Sequence, residues 1–114
     1  MEESILISIK ALLGPDSDYD VFDQDIMVFI NSALSTLNQL GVGPEDGFQI
    51  TGTDETWSDF IGDDVKLNMV KNYIFMKVKM AFDPPANSFV MSAYEKACEE
   101  LEWRLNVAVD PKTD

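Results

Sequence analysis

Apolar residues recur at three- and four-residue intervals over four stretches of this chain, and each stretch closes at residues that stop a helix. Ile5, Leu6, Ile9, Leu12 and Leu13 form the first, ended by Gly14-Pro15. A short polar stretch, Asp16 to Asp20, precedes a longer stripe of Ile26, Phe29, Ile30, Ala33, Leu34, Leu37 and Leu40, with Gly41 placed for a left-handed turn at its end. Asp20 and Asp23 suit the positive end of that second helix's dipole. A third stripe, Leu67, Val70, Ile74, Val78 and Ala81, is widened by Met69, Tyr73, Met76 and Met80 until more than half the helix surface is apolar, with Asp63 or Asp64 as its cap. Such a helix is central to its fold or shared with a neighbouring subunit. Asp83-Pro84-Pro85 breaks it, and the last helix starts at Asn87 or Ser88 with Val90, Ala93, Tyr94, Ala97, Leu101, Leu105 and Ala108 as its stripe.

Between the second and third helices the period is lost. Gly41, Gly43, Pro44, Gly47, Gly52 and Gly62 punctuate residues 41–64, where Phe48-Gln49-Ile50-Thr51 alternates as a short strand does and Glu55 to Ile61 has room for one or two helical turns. Long irregular segments in small domains are usually functional, so this one is expected to protrude as a contact element. The pattern therefore predicts an all-α fold: a small helical bundle of about four helices with an irregular middle segment able to hold a short β-hairpin. It is a single domain over 1–114, with a flexible polar tail from about 110.

Composition narrows the class. At 46% hydrophobic and 25% charged residues the chain has the make-up of a folding domain, and its length supports one core. No apolar run approaches the roughly 20 residues that span a bilayer, which argues against a membrane protein. Glu2 and Glu3 at the start, in place of a basic region, argue against a secretory signal. The single Cys98 agrees with a reducing compartment and reads as a core thiol. The net charge of −13 is lopsided: residues 1–64 hold fourteen acids against Lys10, whereas residues 65–114 hold seven acids and seven bases. That field repels polyphosphate and disfavours a DNA-gripping role, although an acidic decoy that mimics DNA and inhibits a nucleic-acid-binding enzyme is compatible with it.

The inventory of reactive groups is short. With no histidine and one cysteine, the usual zinc sites and histidine-activated nucleophiles cannot be assembled, and no glycine-rich phosphate loop is present. The expectation is a non-enzymatic protein without a cofactor. Asp16, Asp18 and Asp20 match the first ligand positions of a helix-loop-helix calcium site, but Val21 stands where that loop needs Gly and Met27 where it needs a bidentate Glu. A solvated turn explains the same acids. Lys66, Lys71, Lys77 and Lys79 crowd the third long helix, as solubilising charges or as partners for an acidic surface on another subunit. Phe48, Ile50, Trp57, Phe60, Phe89 and Trp103 stand beside loops or off the main stripes, where apolar side chains either plug the core edge or anchor an interface.

The stretch Phe82-Asp83-Pro84-Pro85-Ala86-Asn87-Ser88-Phe89, followed by Tyr94-Glu95 and Glu100-Leu101-Glu102-Trp103-Arg104-Leu105-Asn106, resembles the head-tail connector (adaptor, or putative DNA-packaging) proteins of long-tailed bacteriophages. The helix order over nearly the whole chain is similar to theirs as well. The resemblance implies a structural subunit that forms a ring, commonly twelve-fold, beneath the portal. Its partners would be copies of itself, the portal protein and a further head-completion or tail-completion protein, with DNA passing through without sequence-specific binding. It also implies assembly in the host cytoplasm and a final place in the virion neck. An acidic bore would let DNA slide, whereas a bore lined by Lys66, Lys71, Lys77 and Lys79 would retain it.

Overall fold

A computed structural model describes residues 4–14, 20–61 and 66–109 of the protein. Asp16 and Asp18, the capping candidates Asp63 and Asp64, and the tail from 110 lie outside the described residues. Five α-helices are present among those described: α1 (Ile5–Leu13), α2 (Asp23–Gln39), α3 (Trp57–Ile61), α4 (Leu67–Phe82) and α5 (Ser88–Val109), with a 3-10 turn over Asp20–Phe22 leading into α2. The expected all-α bundle is the fold found, and its four long helices start and stop where the apolar pattern changes.

Local chemistry explains the boundaries. The Ser4 hydroxyl caps α1 by accepting from the Ile7 N–H, and Gly14 ends it at φ 109°, a region that favours glycine. Gly41 turns the chain after α2 at φ 91°. The Asn87 carboxamide oxygen accepts from the Phe89 and Val90 N–H groups at 2.7 and 3.3 Å, so Asn87 initiates α5. The N-cap position of α4 is Lys66, whose side chain makes no cap bond.

α4 is the centre of the bundle and packs against α1, α2 and α5. Its buried residues, Val70, Tyr73, Ile74 and Val78, meet Ile26, Ile30, Ala33, Leu34 and Leu37 of α2 and Ile5, Leu6 and Ile9 of α1 in one core. An ion pair of 2.7 Å between Lys10 and Asp23 ties α1 to α2 at the surface of that core.

The middle segment departs from expectation in two ways. It does not protrude, because Val42, Ile50, Trp57 and Phe60 turn inward and complete the core. Among its described residues it forms no hairpin either. Phe48–Thr51 joins no strand, and the Ile50 backbone pairs instead with a side chain: its N–H donates to Asn31 Oδ1 at 2.8 Å and its C=O accepts from Asn31 Nδ2 at 3.0 Å. One carboxamide on α2 supplies what a neighbouring strand would have supplied. The β-pairing found among the described residues is an isolated antiparallel bridge between Ser4 and Thr56, with the Ile5 N–H donating to Glu55 O at 3.0 Å.

Candidate interaction surface

The candidate surface is built by α4 and α5. Of the α5 residues, Cys98 and Leu105 are buried, Met91, Tyr94, Ala97, Leu101 and Glu102 are half-buried, and Val90 and Ala93 are exposed. The core-facing stripe therefore keeps Tyr94, Ala97, Leu101 and Leu105 of the expected one and shifts toward Cys98 and Glu102. The reason lies on α4, where Tyr73 donates its hydroxyl to Glu102 Oε2 at 2.7 Å and so fixes which side of α5 faces inward. Burial, reinforced by the Glu102 carboxylate, pushes the Tyr73 phenol well above its ordinary pKa and keeps it a donor. Burial likewise pushes the Cys98 thiol up, which suits an inert core thiol. At the far end Asn106 Nδ2 donates to Leu40 O at 3.3 Å.

A groove of about 420 Å³ runs between the two helices, floored by Phe75, Met76 and Leu101, with the Phe75 and Tyr94 rings 6.5 Å apart. Ala97 leaves it open, and the 2.7 Å ion pair of Arg104 with Glu100 forms part of its rim. On another side of α5 three apolar side chains stand in solvent: Phe89 at 84% exposure, Trp103 at 67% and Val107 at 50%. Exposed tryptophan on a rigid helix is the kind of side chain that anchors protein contacts.

The six apolar candidates thus divide. Ile50, Trp57 and Phe60 are 2–3% exposed and belong to the core of this subunit, with the Trp57 indole N–H donating to Ser8 Oγ at 2.8 Å. Phe48 is half-buried with its ring 5.3 Å from that of Phe60. Phe89 and Trp103 alone among the six are fully presented.

The lysines do not share one face either. At 100° per residue Lys71, Lys77 and Lys79 point in three directions around α4. Lys71 lies 5.5 Å above the Trp57 ring, Lys77 5.9 Å above the Tyr73 ring, and Lys79 pairs with Asp83 at 2.9 Å. Lys66 sits at the N-cap of α4. Asp20 opens the 3-10 turn. Among the described residues no group of three His, Cys, Asp or Glu side chains gathers to hold a metal ion, and no helix is long and apolar enough to cross a membrane.

The groove was hidden from sequence reasoning because half-buried residues on two helices line it. A signal existed in Phe89, Trp103 and Val107, spaced by fourteen and four residues, which place large apolar side chains off the stripe that faces α4. In comparison with known proteins, the family model described as phage connector protein matches residues 5–112. No curated protein and no solved structure matches the chain.

Proposed function

The chain belongs to the phage connector protein family, and from that premise we propose that it is a structural subunit that oligomerises into a ring beneath the portal, joining head to tail and extending the DNA conduit. The observation that carries this reading is the span of the family match, which takes in the whole helical body from α1 to α5. The exposed Phe89 and Trp103 on α5 support it, since large aromatics presented on a surface are the side chains that anchor protein contacts. Assembly takes place in the host cytoplasm, and the finished ring sits in the virion neck between the portal and a further completion protein.

The charge distribution fits a conduit through which DNA slides. Fourteen of the twenty-one acids lie in residues 1–64, and a bore presenting part of that excess repels the phosphate backbone. A retaining lysine bore is less well supported, because Lys71, Lys77 and Lys79 point apart and each lies against a group of its own subunit.

Light scattering over a range of concentrations and salt levels, alone and with the portal protein, tests the proposal. A closed oligomer, free or portal-bound, is the expected result. A protein that stays monomeric under all these conditions refutes the ring, and inhibition of DNA-binding enzymes by the monomer would point to an acidic decoy instead.

A further inference from the structure

The exposed side of α5 has a matching recess on the chain itself. On α5 the residues bordering the groove are Tyr94, Ala97, Glu100, Leu101 and Arg104, and the projecting line is Phe89, Trp103 and Val107, with Lys96 between the two aromatics. At 3.6 residues per turn the centres of these stripes lie about 100° apart around the helix. One chain therefore carries an apolar projection and an apolar recess that face in different directions.

We infer that the Phe89/Trp103 stripe of one subunit packs into the α4–α5 groove of the next, so that α5 supplies both halves of a head-to-tail contact between copies of this chain. The inference rests on the ring reading and names the surfaces that would build it. Three observations favour a second copy as the occupant. The first is charge: residues 65–114 carry no net charge while residues 1–64 carry −13, so the α4–α5 side is where two such acidic chains approach with least repulsion. The second is area. Two large aromatics bury about 300–500 Å² on docking, around half of the ~800 Å² per partner of a standard stable interface. The third is direction. A projection and recess set apart on one helix leave one docked copy with an unused recess and the other with an unused projection, which gives a heterologous contact that propagates and closes into a ring when the rotation allows.

The test uses the full chain, with the portal protein added where the wild type needs it to assemble. Phe89→Ala/Trp103→Ala removes the projection, and Ala97→Lys places a long charged side chain in the recess. Each variant alone is expected to keep wild-type helicity and to associate at least ~30-fold more weakly, the effect of losing an interface anchor. Mixed in equal amounts the two are expected to give heterodimers and nothing larger, because the pair retains one intact projection and one intact recess facing each other. The surface variant is informative even if Ala97→Lys folds poorly, since Phe89 and Trp103 make no part of the core.

Wild-type assembly by the Phe89→Ala/Trp103→Ala protein overturns the inference and leaves the ring reading standing. So does normal self-assembly with lost portal binding, which assigns the stripe to the portal. Two variants that fail to assemble alone and fail to pair when mixed also overturn it. A wild type that never assembles, with or without portal, removes the ring reading and this inference together.

Discussion

The bond pair between Asn31 and the Ile50 backbone makes a sharp test of how the middle segment is held. Replacing Asn31 with leucine keeps side-chain bulk on α2 and removes both the acceptor, 2.8 Å from the Ile50 nitrogen, and the donor, 3.0 Å from its carbonyl oxygen. Each backbone group left without a partner away from water costs about 1–3 kcal/mol. Ile50 is 2% exposed, but Asn31 is half-buried, so water reaches part of the site and the lower half of that range applies. The two groups together then give about 2–4 kcal/mol, which lowers Tm by roughly 10–20 °C in a domain of this size. Denaturant titration reads the free energy, and hydrogen exchange reads the Ile50 amide, which should exchange at least tenfold faster than in wild type. Asn31→Asp keeps the acceptor and loses the donor, and should fall between the two. An Asn31→Leu protein within about 0.5 kcal/mol of wild type would refute the idea that a side chain stands in for a strand here.

Other substitutions probe the remaining contacts. Tyr73→Phe removes the 2.7 Å bond to Glu102 and should cost about 1–3 kcal/mol by thermal or denaturant melting. Because folding raises the Tyr73 pKa, its contribution is fully present below the ordinary phenol value near 10 and is lost as pH climbs above it; Tyr73→Phe should therefore show a shallower alkaline fall in Tm than wild type. Ser8→Ala strands the buried Trp57 indole N–H, whose acceptor lies at 2.8 Å, and a loss of about 1–3 kcal/mol is expected. Gly43 and Gly47 have similar positive φ, 89° and 94°, yet a Cβ at Gly43 would collide with the Phe60 ring while one at Gly47 meets nothing within 4 Å. Alanine at Gly47 should cost about 1–2 kcal/mol for backbone strain, and alanine at Gly43 should exceed it by about 1–3 kcal/mol for overpacking.

The long helices were legible in the sequence because their signals are local. Gly14, Gly41 and Asn87 act through their own backbone conformations or through neighbours two or three residues away. The middle segment was legible only as a break in period. Its true arrangement depends on Asn31, nineteen residues before Ile50, and on Ser8, forty-nine before Trp57. No repeat or propensity reports a carboxamide that replaces a strand. The same limit explains the candidate surface: Trp57 and Trp103 look alike in sequence, each an aromatic beside polar neighbours, and the bundle buries one and presents the other. Their fates were set by whether a partner existed within the chain, which for Trp57 is Ser8 and the α1–α3 contact.

That contrast between the two tryptophans gives the protein a pair of built-in optical probes. Trp57, enclosed and hydrogen-bonded, should emit toward the blue and resist quenching by acrylamide until the bundle unfolds. Trp103, in contact with water, should emit toward the red and be quenched readily in an isolated subunit. Single-tryptophan versions made by Trp57→Phe or Trp103→Phe would separate the signals, so that one colour follows the integrity of a subunit while the other follows its company.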